Sequence, residues 1–138
     1  MEKSNRNLIA LFKNLFATAK IPEIPNLWIH IVQKKQDQPT LKSIKNNYIV
    51  VKKLKTNMFR GCMPSNLLNK LGDNTLIILD HSFGDNEIGK IMREVFDGEY
   101  TSVGNENKRI EWKGKINIVS FSSKLPPQLP SRVILLKI

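Results

Sequence analysis

The sequence predicts a single α/β domain: a three-layer core with a mainly parallel sheet, an N-terminal amphipathic helix and a basic β-hairpin. Three observations carry that prediction. The run Thr75-Leu76-Ile77-Ile78-Leu79-Asp80 is continuously apolar and ends in a carboxylate, the pattern of a buried parallel strand with a polar residue at its carboxyl end. Short β-rich runs alternate with segments of helical spacing, which argues for crossover connections. The chain has 138 residues, 41% hydrophobic and 25% charged, enough for one real core and too apolar for a disordered chain.

Element by element, residues 5–19 repeat Leu8, Leu11, Phe12, Leu15, Phe16 and Ala19 on one helical stripe. Ser4 is the expected N-cap and Pro22 stops the helix soon after Lys20; the domain divides into an N-terminal helix segment, residues 1–21, and a sheet core, residues 27–138. Leu27-Trp28-Ile29-His30-Ile31-Val32 reads as the first strand, with His30 a satisfied core or edge residue, and Tyr48 to Val51 as the second. Pro64-Ser65 is expected to cap a short helix over residues 66–71, followed by a turn at Gly72-Asp73-Asn74 and the central strand, residues 75–80. A helix from Asn86 to Phe96 turns inward with Ile88, Ile91, Met92 and Val95. Residues 100–103 and 108–112 flank Gly104-Asn105-Glu106-Asn107, a hairpin signal. Residues 116–121 and 132–138 complete the strands, joined by the rigid link Pro126-Pro127-Gln128-Leu129-Pro130.

The net charge is +10, and its placement is informative. Residues 1–70 carry thirteen lysines and arginines against Glu2, Glu23 and Asp37, whereas residues 71–138 carry nine against nine. A surplus of that size attracts polyanions, so nucleic acid is the expected partner. Lys52, Lys53 and Lys55 at a strand end, followed by Arg60, form the densest local patch. Lys108, Arg109, Lys113 and Lys115 make a second one on the hairpin, beside the aromatic face of Trp112. The lone Cys62 cannot form an internal disulfide and reads as a packing thiol. No apolar run reaches the roughly 18 residues of a membrane span, and Met1 to Arg6 lacks a secretory pattern. The expected location is cytoplasmic, with no membrane partner. The apolar stripe of the N-terminal helix is a further candidate surface for a protein partner or a second copy.

The stretch Arg93-Glu94-Val95-Phe96-Asp97-Gly98-Glu99-Tyr100, followed by Lys108-Arg109-Ile110-Glu111-Trp112-Lys113-Gly114-Lys115-Ile116, resembles the segment after the metal-binding carboxylate in P-loop ATPases of the AAA+ helicase type, those of phages, plasmids and other mobile elements. The resemblance covers roughly residues 65–138. It implies that residues 75–80 are the Walker B strand, with Asp80 as a Mg²⁺ ligand, and that residues 116–123 are the sensor strand. It also implies a nucleic-acid-contacting hairpin at 100–113, and places Arg132 where some members carry an arginine near a subunit interface.

Two departures alter the functional expectation. No G-x-x-x-x-G-K-S/T loop exists to cradle phosphates, and His81 follows Asp80 where the family carries a glutamate. Losing phosphate positioning removes most of what a protein contributes to phosphoryl transfer. The expectation is a non-catalytic, truncated relative that binds nucleic acid or a partner protein, including as an inhibitor or regulator of a larger ATPase. No cofactor is assigned beyond Mg²⁺ as a candidate, and Asp80 reads more simply as a strand-end residue capping its loop. One enzymatic alternative is a metal-dependent nuclease of D…E-x-K type, with Asp97 and Glu111 on Mg²⁺ and Lys113 supporting the attacking water.

Overall fold

The computed structural model describes residues 2–34, 47–59, 66–83, 87–103 and 109–137. Helix α1 (Glu2–Thr18) begins the chain. Ser4 lies inside it rather than capping it, because the helix starts three residues earlier than the capping pattern suggested. Strands β1 (Leu27–Val32) and β2 (Tyr48–Val51) follow, then a 3-10 turn over Thr56–Phe59. Helix α2 (Leu67–Leu71) is capped by Asn66, whose side chain accepts from the Leu68 N–H, so the cap is Asn66 and not the Pro64-Ser65 pair. Strand β3 (Thr75–Ile78), helix α3 (Glu87–Phe96) and strands β4 (Glu99–Val103), β5 (Arg109–Lys113), β6 (Asn117–Ser122) and β7 (Val133–Lys137) complete the order. Strand β3 stops two residues before Asp80, yet strand-like bonds persist: Leu79 N–H donates to Val51 O and His81 N–H to Phe121 O.

The main sheet runs β2-β3-β6-β1-β7, and every pairing in it is parallel. The alternation of a strand sends successive side chains to opposite faces. Ile29, Ile31, Ile77, Val119 and Phe121 meet the apolar stripe of α1, with Leu8, Phe12, Leu15 and Phe16 buried there. That packing consumes the stripe and leaves Asn7, Ala10, Lys13 and Asn14 outward. On the other face Trp28, Leu76, Ile78 and Ile118 pack against α2, α3 and Phe59. The three layers follow from this two-sided burial.

The hairpin β4–β5 is a separate antiparallel pair. It is rooted at the amino end of the sheet, where Gly114 N–H donates to Gly98 O and Ile116 N–H to Asn26 Oδ1. Gly98 has φ +91, a conformation that closes α3 into the hairpin at little cost only for glycine. Tyr100 is buried against Phe59, and Trp112 is half-buried on the same core. Asn117 clamps this end of the molecule: its Oδ1 accepts from Leu27 N–H, and its Nδ2 donates to Leu15 O and Thr18 Oγ1. Among the described residues no helix is long and apolar enough to cross a membrane.

Candidate nucleic-acid edge and an aromatic cleft

An all-parallel sheet brings the carboxyl ends of its strands to one edge, which is where ligands of open α/β sheets bind. Here that edge is basic. Lys34 follows β1, Lys52 and Lys53 follow β2, Lys124 follows β6, Lys137 ends β7, and all are exposed. Lys55 lies one turn further on. Buried Leu54 pins the turn between Lys53 and Lys55 into the core, so the lysines around it face solvent. Asp80, exposed after β3, is the acidic residue among them. Four inter-strand steps span roughly 19 Å, long enough to meet several phosphates of one strand. Sequence reasoning singled out Lys52, Lys53 and Lys55 but missed Lys34, Lys124 and Lys137. No local signal links those three, since only the strand order makes them neighbours.

The hairpin cations fare differently. Arg109, Glu111 and Lys113 occupy alternate positions of β5, and Lys113 Nζ is 3.8 Å from Glu99 Oε1, both exposed. Lys115 is not a free cation. Its Nζ donates to Pro25 O at 2.9 Å and to Asn117 Oδ1 at 3.3 Å, and burial lowers its pKa. It holds the hairpin root to the sheet. Arg60, Cys62 and Lys108 lie outside the described residues, as does the side chain of Arg109.

The carboxylates of the nuclease reading stand on separate elements. Asp97 ends α3 and lies 3.8 Å from Arg132 Nη1, while Glu111 is exposed on β5 opposite Thr101. Among the described residues no three His, Cys, Asp or Glu side chains gather closely enough to hold a metal ion. At the carboxyl end of β1, the first glycine of the chain is still far ahead at Gly61. A phosphate-cradling loop of the glycine-rich kind therefore has no glycines to use there.

The β6–β7 connection is the proline-rich strap anticipated from sequence, with no helix in it. Between the strap and α3 lies a cleft of about 710 Å³. Its floor is Trp28, Met92 and Phe96, and one end is lined by His81 and Phe83. Phe83 adopts φ +56 and stacks on Trp28 at 5.3 Å, with His81 at 4.4 Å and His30 at 4.6 Å from its ring. At the far end the Arg132 guanidinium lies 4.8 Å over Phe96. Arg132 is itself a non-glycine residue at φ +73, a strained conformation held by that stacking and by Asp97.

Beneath the cleft runs a directed hydrogen-bond chain. Trp28 Nε1–H donates to Ser120 Oγ at 2.8 Å, and Ser120 Oγ lies 2.7 Å from His30 Nδ1. Ser122 donates its only proton to Lys124 O, so its oxygen must accept from His30 Nε2, 2.8 Å away. His30 is therefore the Nε2–H tautomer, and Ser120 donates to its Nδ1. This neutral ring is fully used, which confirms His30 as a satisfied core residue. Burial pushes its pKa down to about 4, helped by His81; burial likewise takes His81 to about 4, against the opposing pull of Asp80. Against protein-family models, curated proteins and solved structures, the chain finds no match.

Proposed function

We propose that this domain binds single-stranded nucleic acid along the carboxyl edge of its sheet, without catalysing a reaction, as a degenerate relative of mobile-element AAA+ ATPases. The observation that carries the reading is the row of exposed lysines contributed by four strands, Lys34, Lys52, Lys53, Lys124 and Lys137, on an edge where, among the described residues that directly follow a strand, Asp80 is the acidic one. Phosphate contacts by such cations need no nucleotide chemistry. The ancestry is supported by the placement of Asp80 and the end of β6 on adjacent parallel strands leaving the same edge, as two groups serving one ligand would have to be. The lack of glycine after β1 supports loss of the catalytic step.

Affinity for a labelled oligonucleotide, measured across salt concentrations, tests this. Each lost phosphate contact lowers the salt slope by about 0.7 for a single strand, so Lys34→Gln, Lys52→Gln and Lys124→Gln together should lower it by roughly 2. A slope that is flat in the unaltered protein sinks the reading.

A second reading, self-association or docking on a larger ATPase, is favoured by β7. It is an edge strand with Ile134 and Leu135 exposed on opposite faces, an arrangement that invites strand addition. The surface would then be β7 and not the N-terminal helix, whose stripe is spent on the core. Analytical ultracentrifugation that finds only monomer at high concentration, for wild type and Leu135→Lys alike, removes self-association.

A further inference from the structure

The α3–strap cleft has a composition that the lysine edge does not explain. Its floor makes no polar demand of a ligand, because the Trp28 N–H and both His30 nitrogens already have partners. Such a floor favours an apolar or flat unsaturated group. Phe83 is half-buried, so its ring is the reachable member of the aromatic cluster. It sits where β3 leaves the basic edge, so the cleft opens next to that row of lysines. The charged side chains of the lining are Arg93, Arg132 and Asp97, with His81 neutral, a surplus of one positive charge. Arg93 and Asp97 are exposed, and the Asp97–Arg132 pair is long and solvated, so it neutralises Arg132 only weakly. A volume of about 710 Å³ is in the range of small-molecule sites and holds a base, a sugar and a phosphate together.

We propose that this cleft binds one nucleotide with a terminal phosphate, the base against Phe83 and His81 and the phosphate on Arg93 and Arg132. The ligand is either a free nucleoside monophosphate or the 5′-phosphorylated end of a strand whose remaining phosphates follow the lysine edge. The strand-end form deepens the nucleic-acid reading and rests on it. Capture of the free nucleotide stands apart from it. An aliphatic acid would match the charge but not the ring face. An aromatic phosphopeptide would match both, and is separated by experiment.

Trp28 and Trp112 are the only tryptophans, so Trp112→Phe leaves Trp28 as a single reporter beneath Phe83. Its emission should respond saturably to adenosine monophosphate and at least about tenfold more weakly to adenosine or inorganic phosphate. A 5′-phosphorylated oligonucleotide should bind more tightly than its 5′-hydroxyl form if the strand end is the source; equal binding of those two, with monophosphate still captured, assigns the free nucleotide. Phe83→Leu should weaken the monophosphate by roughly fivefold or more, the scale of one base–aromatic stack. Arg93→Gln, an exposed change that leaves the core intact, should weaken the monophosphate but not adenosine. The proposal is overturned if adenosine, phosphate or O-phosphotyrosine binds as tightly as the monophosphate. It is equally overturned if neither Phe83→Leu nor Arg93→Gln alters binding, or if no phosphorylated base gives a saturable response. Salt-dependent binding of a 5′-hydroxyl strand that still falls in the triple lysine variant would then leave the edge reading standing with the cleft rejected.

Discussion

Acid should unfold this protein through its two histidines. His30 is fully buried and His81 nearly so, and both are held neutral down to about pH 4, against 6.5 in an unfolded chain. Between those values the unfolded chain takes up protons that the native state refuses, so stability falls as pH drops from about 6.5 towards about 4. A depression of this size corresponds to about 3 kcal/mol for each ring. Both together are comparable with the whole stability of a typical domain, about 5–15 kcal/mol. The geometry agrees in sign: a second proton on His30 would point Nδ1–H at Ser120 Oγ, which already accepts from Trp28. Urea unfolding at pH 7.5, 6.0, 5.0 and 4.5 measures the effect, with the midpoint falling steeply over the last two steps. His30→Gln should be less stable at pH 7.5 but lose about one proton's share of the slope, near 1.4 kcal/mol per pH unit. Nitrogen NMR should show Nε2–H on His30 throughout. A His30 ring that titrates near 6.5, or a midpoint unchanged between pH 7.5 and 5.0, refutes the argument.

Three further outcomes follow from the packing at the amino end of the sheet. Asn117→Ala leaves the part-buried Leu27 N–H without its acceptor, while Leu15 O keeps its bond from Ala19 N–H; it should cost about 1–3 kcal/mol, read as a fall in thermal midpoint of roughly 3–12 °C. Gly114→Ala places a Cβ 2.8 Å from the Trp112 ring, so the ring must move; the expected loss is about 1–3 kcal/mol with a change in near-ultraviolet circular dichroism. Lys115→Met should lower stability by about 1 kcal/mol or more while leaving the salt slope of oligonucleotide binding unchanged, because its ammonium is already bonded to Pro25 O.

Much of the fold is legible in the residue pattern. Leu8, Phe12, Leu15 and Phe16 recur at helical spacing, and Thr75 to Ile78 are uniformly apolar, because one element buries a single stripe and the other buries both faces. Element ends are less legible. Asn66 and Ser4 are both competent caps by chemistry, and only the position where each chain segment enters its helix decides which one acts. The site was harder still. Lys115 looks like Lys113 in sequence, yet one is bonded to the backbone of the β1 approach and the other is exposed on β5.

Composition and periodicity alone determine that this chain is a basic α/β domain with Asp80 at a strand end and no glycine-rich phosphate loop, because those are properties of residue type and local spacing. Which lysines act together is a property of strand order. Lys34, Lys53, Lys124 and Lys137 are spread across the chain, and they share an edge only because the order β2-β3-β6-β1-β7 is wholly parallel. The cleft is likewise tertiary: Phe83, Arg93 and Arg132 come from three segments, and although the prolines of residues 126–130 announce an extended link, no local pattern specifies that it will pass over β1 beside α3.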